Sequence, residues 1–366
     1  MGFLENKAQY KIWVFAPYFE TEDSDLQFYN DYSQSIAEYT KVFAELECEW
    51  EWLDITLDNF NRIIYMIVNL PLTNIVLNLC DGDELNGVPG ISVVNALEKS
   101  TLIYTGADAF FYHITTSKID MKKAFDVHEV PNAKWVVLDN SINETLFNEI
   151  GTPAIIKPAV SAGSMGLTVK NVVQTFSECQ TVLKEMQKGY HGWNLDAAGL
   201  LAETFIKGRE FTSLIVGSST MPDKIKFYTP IERIFHHSLP EEEKFLSFDR
   251  LWETYTDESA MPEGAFFYEY AAVTDLELLK SLEKLSKEAF LSMQGMGYGR
   301  IDFRLSNESG ELFVLEVNAQ CGLSDDENYT SIGAILRFSN ETFTNLIVEI
   351  LDDAIARSKS SKKIER

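Results

Sequence analysis

The sequence is short of positive charge: 31 Lys and Arg stand against 56 Asp and Glu, a formal net charge of −25. Nucleic acid and anionic membranes are held mainly by Lys and Arg, so neither is an expected partner, and only a local basic pocket remains open. Cysteine is scarce too. Cys48, Cys80, Cys179 and Cys321 are scattered with no C-x-x-C pair, which argues for reduced thiols and a cytoplasmic setting. The five histidines, His113, His128, His191, His236 and His237, lack zinc-ligand spacing. No apolar run approaches the ~20 residues that cross a bilayer, and residues 1–7 lack the form of a secretory signal. Internal repeats and low-complexity linkers are also missing.

What is present is an ordinary globular composition, 45% hydrophobic and 24% charged over 366 residues, enough for two or three domains with real cores. Lys11-Ile12-Trp13-Val14-Phe15-Ala16-Pro17, Trp50-Glu51-Trp52-Leu53 and Asn74-Ile75-Val76-Leu77-Asn78-Leu79 read as strands, and helical patterns separate them. That alternation predicts a parallel sheet with helices on its faces, with Asp81 just past a strand's carboxyl end, where such sheets bind ligands. A helix is expected from Ile91 to Glu98, and residues 117–125 read as another that presents Lys118, Lys122 and Lys123, by default on a solvated face. The irregular, proline-bearing stretch 218–270 reads as a lid or substrate-facing insertion. Thr274-Asp275-Leu276-Glu277 has capping-box form before a leucine-spaced helix. A closing helix is expected over 332–356, followed by a frayed basic tail.

Two stretches carry chemistry. In Gly299-Arg300-Ile301-Asp302-Phe303-Arg304 and Leu315-Glu316-Val317-Asn318, polar and apolar residues alternate with the period of strands, and a Gly310-containing turn joins them. Paired antiparallel, they bring Asp302, Glu316 and Asn318 to one face, a hard oxygen set suited to Mg2+, with Arg300 beside it. The second stretch is the strand Ala154-Ile155-Ile156-Lys157-Pro158, followed by small residues from Ser161 through Gly163, Ser164, Met165 and Gly166. Successive amides in such a loop form an anion nest. With Lys157 and a following strand at residues 167–169, the loop predicts a hairpin over a triphosphate. The alternation of Leu200-Leu201-Ala202-Glu203-Thr204-Phe205-Ile206 and the strand after it can turn Glu203 and Glu210 toward a cleft.

These motifs in combination resemble the ATP-grasp superfamily, and within it the D-alanine-D-alanine ligase family, over roughly residues 74–350. The resemblance implies an α/β and α+β chain: a Rossmann-like pre-ATP-grasp domain (1–106), a small central α+β lid (107–202), and a catalytic α+β subdomain (203–366) carrying the 218–270 insertion. It implies ATP and Mg2+, one ion or two, with Mn2+ as a substitute. Lys118 and Lys157 would meet phosphates, residues 161–166 would close over them, Glu203, Phe205 and Ile206 would meet adenine, and Glu210 the ribose. Asp302, Glu316 and Asn318 would bind metal. Arg300, the Gly322 backbone and Ser164 would be catalytic.

The departures fall on the substrate side. The family's amino-terminal donor motif is replaced by Ala16-Pro17-Tyr18-Phe19, and its His-Gly pair by Cys80-Asp81-Gly82. Arg250 stands in for a lid lysine within residues 248–255, and Cys321 for a proline. Tyr329, Thr330 or Ser331 would have to grip the acceptor, beside the acidic run Asp325-Asp326-Glu327 that suits an amine or cationic amino acid. The expected activity is an ATP-dependent carboxylate-amine ligase acting through an acyl phosphate, joining a small acid or amino acid to an amine or amino acid other than two D-alanines. D-alanine-D-alanine ligation itself, phosphotransfer and ATP binding without amide formation are the alternatives. A homodimer is a family-level expectation.

Overall fold

The computed structural model describes residues 2–22, 30–139, 142–161, 163–190, 192–252, 261 and 265–364. Its first sheet is parallel, in the order β2 (Glu49–Ile55), β1 (Tyr10–Pro17), β3 (Thr73–Asn78), β4 (Ile103–Tyr104). β1 is apolar without a break because both of its faces are covered. Ile12 and Val14 pack on one side with Tyr39, Val42 and Phe43 of α1 (Ser33–Leu46). Trp13 and Phe15 pack on the other with Ile64 and Ile67 of α2 (Phe60–Val68) and Val93 and Leu97 of α3 (Ile91–Lys99). At about 1.5–3 kcal/mol for each large side chain removed from water, this strand anchors the domain.

After α4 (Ala109–Thr116) and α5 (Lys118–Val127) comes an antiparallel sheet in the order β5 (Trp135–Leu138), β8 (Leu200–Thr204), β6 (Ala154–Pro158), β7 (Val172–Val173), with α6 (Leu146–Ile150) and α7 (Phe176–Met186) beside it. β8 runs across the expected division between residues 202 and 203. The strand expected at 167–169 is not formed: Thr168 caps a 3-10 turn, Val169–Asn171, and β7 follows.

The third sheet has the order β12 (Tyr268–Ala272), β11 (Ile231–Phe235), β9 (Gly208–Ser218), β13 (Met296–Ser306), β14 (Leu312–Ala319), with β10 (Lys226–Phe227) also on β9. β10, β11 and the start of β12 therefore lie in the 218–270 stretch, expected to be an irregular lid or insertion, although most of its described residues are outside the sheet. Glu241–Glu243, α8 (Phe248–Trp252) and residues 253–260 and 262–264, the last two outside the described residues, make up much of the remainder. β9 alternates between two cores: Phe211 and Ile215 face α9 (Leu276–Ser292), while Leu214 and Val216 join the core that the carboxyl-terminal helices share with the first domain. Asp275, rather than Thr274, caps α9 by accepting from the amides of Glu277 and Leu278. The single closing helix expected is two, α10 (Ser331–Ser339) and α11 (Phe343–Ile364), broken where Asn340 adopts φ 53°. α11 continues through most of the tail expected to fray. Among the described residues, no helix is long and apolar enough to cross a membrane.

Candidate active site

The polar ends of β9, β11, β13 and β14 face a cavity of about 570 Å³ that the β6–β8 sheet covers from the other side. Lys118, Lys157, Ser161, Gly163, Ser164, Glu203, Phe205, Ile206, Glu210, Arg300, Asp302, Glu316, Asn318 and Gly322 all line it, together with Asp81, Tyr329 and Ser331. The phosphate-type loop and the carboxylate hairpin, 140 residues apart in the chain, thus share one space.

The hairpin register is what aligns the carboxylates: Asp302 pairs with Glu316 and Arg300 with Asn318, with a bulge just after Asp302. The Asn318 amide donates to Asp302 Oδ2 at 3.2 Å and Glu316 Oε1 at 3.1 Å. Arg300 Nη2 donates to the same Asp302 oxygen at 2.9 Å, and Thr212 Oγ1 to the other at 2.8 Å. Burial and the charge of Glu316 push the Asp302 carboxyl up, against the pull of Arg300. Burial also opposes the ionised form of Glu316, but Lys118, Arg300 and Lys157 hold its carboxyl down. One ionised carboxylate therefore sits beside another that would gain from further positive charge. No trio of His, Cys, Asp or Glu among the described residues could hold a metal by itself. Two carboxylates and one carboxamide fit a hard divalent cation only if other oxygens, such as phosphates, complete its shell.

Opposite the hairpin, Lys118 Nζ reaches the Ser161 carbonyl at 3.2 Å and its hydroxyl at 3.3 Å. Asn171, only 3% exposed, fixes the loop's base: its amide donates to the carbonyls of Ile156 and Gly166, and its oxygen accepts from Thr168. Gly163 and Ser164 adopt positive φ, 57° and 60°, as successive members of a tight turn. Met165 and Gly166 do not line the cavity: Met165 is buried in the core beneath the loop, and Gly166 lies against Leu195. Ala162 is outside the described residues.

Glu203 is 1% exposed and engages two lysines, Lys122 at 2.6 Å and Lys157. Burial alone would raise its carboxyl, but the two ammonium groups hold it at about 2. Burial in turn lowers both Lys118 and Lys122. Lys122 was expected on a solvated face; instead it and Lys118, four residues apart, project inward from one side of α5, while Lys123 pairs with Asp120 outside. Glu210 lies between Arg233 and Arg304, its partners on the flanking strands. Arg304 donates also to the carbonyls of Ile206 (3.3 Å) and Lys244, tying the segment before α8 to the sheet. Tyr268 and Tyr270 lie beneath the Arg233 guanidinium, 5.1 and 5.5 Å from ring centre to Cζ. The sequence reading singled out neither arginine; each has its partner on another strand.

Several substrate-side expectations are corrected. Arg250 does not line the cavity; its guanidinium donates to the Glu243 carboxylate at 2.8 Å. The acidic run is committed elsewhere: Asp325 pairs with Lys41, Glu327 with Arg337, and Asp326 accepts from the amides of Asn328 and Tyr329. None of the three lines the cavity. Residues 253–255 of the lid motif, and His191, lie outside the described residues.

Gln320, 1% exposed, sets the two ends of the site together. It donates to the carbonyl of Asn78 and accepts from the amide of Ala107, joining the end of β14 to the end of β3. This holds Gly322, beside which a Cβ would meet nothing within 4 Å, in the cavity that Asp81 also lines.

Two facing α+β sheets enclosing such a cleft, behind a parallel-sheet domain, define the ATP-grasp class of fold. Solved D-alanine–D-alanine ligases share it. That of Bacillus anthracis in complex with ATP superposes with a TM-score of 0.65 at 17% identity, over 96% of this chain and 99% of that one. That of Coxiella burnetii gives 0.66 at 15%, over 97% and 98%. The family model described as D-ala D-ala ligase C-terminus matches residues 122–352, and the chain belongs to that family. Among relatives, the D-alanine–D-alanine ligase of Nitrosococcus oceani is 23% identical over 266 residues, 72% of this chain and 73% of the relative. That of Acinetobacter baumannii is 24% identical over 299 residues, 81% and 84% of the two chains.

Proposed function

We propose that the protein is an ATP-dependent carboxylate-amine ligase that acts through an acyl phosphate on substrates other than a pair of D-alanines. The observation that carries this reading is the convergence of Lys118, Lys157 and the 161–164 loop with Arg300, Asp302, Glu316, Asn318 and Gly322 around one cavity. Family membership supports the ligase class.

Asp302, Glu316 and Asn318 would hold Mg2+, as one ion or two, with Mn2+ as a substitute. When bound, the metal neutralises phosphate oxygens. Lys118, Lys157 and the loop amides would bind and orient the triphosphate, so that a substrate carboxylate oxygen attacks the γ-phosphorus in line and ADP leaves. Positioning and charge neutralisation supply most of such a step. The amine then attacks the acyl carbon, phosphate departs and the nitrogen loses a proton. Arg300 and the amide of Gly322 would face the oxyanion that develops, and a well-aimed donor there lowers the barrier by about 3 kcal/mol.

Three substrate-side features argue for different substrates: Asp81 just past the end of β3, Arg250 paired with Glu243 and not lining the cavity, and apolar Ala16 and Pro17 at the end of β1. The test is ADP and phosphate release with Mg2+ across a panel of amino-acid and amine pairs, with product masses. Amide product from another pair in excess of that from D-alanine supports the reading. D-alanine as the best substrate, or a phosphorylated product without an amide, overturns it.

A further inference from the structure

A second pocket, about 290 Å³, opens off the main cavity, and Asp81, Gly163 and Gly322 line both. Its walls are otherwise mostly apolar, formed by Pro17, Leu79, Val88, Trp193 and Leu323. No Lys or Arg is among the described residues that line it, so the pocket has nothing to offer a second carboxylate. Its volume is roughly ten times what a water molecule takes in the liquid, ~30 Å³, more than alanine's few heavy atoms would fill.

Asp81 stands where the two spaces meet. Its carboxylate is exposed to them, and no described side chain donates to it or pairs with it. Its neighbours with carboxylates are occupied: Asp83 accepts from Asn86, and Glu84 from the amides of Gly90 and Ser92. Set in a cleft whose surrounding protein thins its hydration, though still open to solvent, the Asp81 carboxyl is pushed up to about 6, its own backbone amide only partly offsetting this. An ammonium group brought to the mouth of the smaller pocket would meet this unpaired carboxylate.

We infer that the acid activated by this enzyme is an α-amino acid with an apolar side chain larger than methyl, its ammonium on Asp81, its side chain in the smaller pocket and its carboxylate in the main cavity. The inference rests on the ligase reading for which carboxylate reacts, but not for where the amino acid binds. Asp81 and Gly322 line both spaces, while Arg300 and Glu316 line the main cavity alone, so one α-carbon at the junction could direct its ammonium, side chain and carboxylate to these three places.

The experiment is calorimetric titration of the full chain, with and without Mg2+ and a non-hydrolysable ATP analogue, using both enantiomers of leucine, phenylalanine and alanine. At least one bulky amino acid is expected to bind tenfold or more tightly than either alanine. Asp81→Asn should weaken it at least tenfold yet leave the des-amino analogue, 4-methylpentanoate or 3-phenylpropanoate, unchanged. Val88→Phe, which fills the pocket from a wall, should weaken the bulky ligand at least tenfold and leave alanine unchanged. Alanine binding as tightly as the bulky ligands overturns the inference, as does an Asp81→Asn variant that binds them normally. Tight binding without ATP breakdown for any pair would leave this pocket standing and sink the ligase reading. ATP breakdown with alanine or polar acids alone would do the reverse.

Discussion

Replacing Glu203 with glutamine is expected to cost the fold about 3 kcal/mol near neutral pH, by stranding two ammonium groups. The residue is 1% exposed, and its oxygens serve Lys122 and Lys157. Its carboxyl titrates at about 2 rather than at 4.5. At ~1.36 kcal/mol for each pH unit, that preference for the ionised form corresponds to about 3 kcal/mol. Deleting one partner of a buried pair gives a similar figure, ~3–5 kcal/mol. For a depressed carboxylate the contribution is complete above about 4.5 and is lost as the pH falls toward 2. Urea unfolding of the two proteins, followed by circular dichroism, should therefore differ most at pH 7 and converge in acid. Adding Lys122→Met to the variant should restore part of the loss, because one stranded charge goes with it. Mg2+ and ATP should restore part as well, if phosphates reach Lys157. A loss under about 1 kcal/mol at pH 7, or a difference that persists unchanged to pH 3, would refute the argument.

Asp302→Asn and Glu316→Gln should each abolish turnover. Asp302→Asn should do so without loss of melting temperature, because burial and Glu316 already disfavour its ionised form; measurable turnover would remove these residues from the metal site. Arg304→Met breaks the tie between Glu210 and the Lys244 carbonyl, and should raise the KM for ATP at least tenfold while changing kcat little. An unchanged KM would place Arg304 outside nucleotide binding. Gly82→Ala should lower stability by about 2 kcal/mol, since a Cβ there would lie 2.1 Å from the Val88 carbonyl oxygen. Equal thermal stability of the variant would show that the two segments are not in such close approach.

What the sequence made legible is local. The alternation around Asp302 and Glu316 sets their faces within a few residues of each strand, and the hairpin joins neighbours in sequence, so the cluster could be read directly. The first sheet was readable because apolar runs such as residues 12–16 are long and bounded. Lys122 was not readable: a lysine four residues after Lys118 marks one helix face equally well whether that face meets water or Glu203. Arg233 and Arg304 gain meaning only from Glu210, which reaches both through strand pairing. The strands of the 218–270 stretch escaped notice because β11 and β12 are five residues each, without a turn signal close between them. Asn340 is a helix-ending signal that the longer apolar periodicity on both sides concealed.

The division between readable and unreadable parts bears on specificity. The residues assigned to metal, with Glu210 and Arg300, sit on strands whose register is set by long ladders, β13 pairing with β9 over eleven positions. A side chain there is placed by the sheet, so its type must match the task. Most residues around the smaller pocket come from segments at or just after the ends of β1, β3 and β14, which the sheets hold only at one end. Such segments can change residues without disturbing the ladders. Asp81 illustrates this: β3 and Gln320 fix its backbone neighbourhood, yet its carboxylate has no described partner to retain it. A substrate's ammonium would give that charge its partner, so exchanging Asp81 for a neutral residue should alter which acid is accepted while the nucleotide site persists. Measured KM for ATP in Asp81→Asn should accordingly match the parent; a large rise would mean that the two sites are one energetic unit.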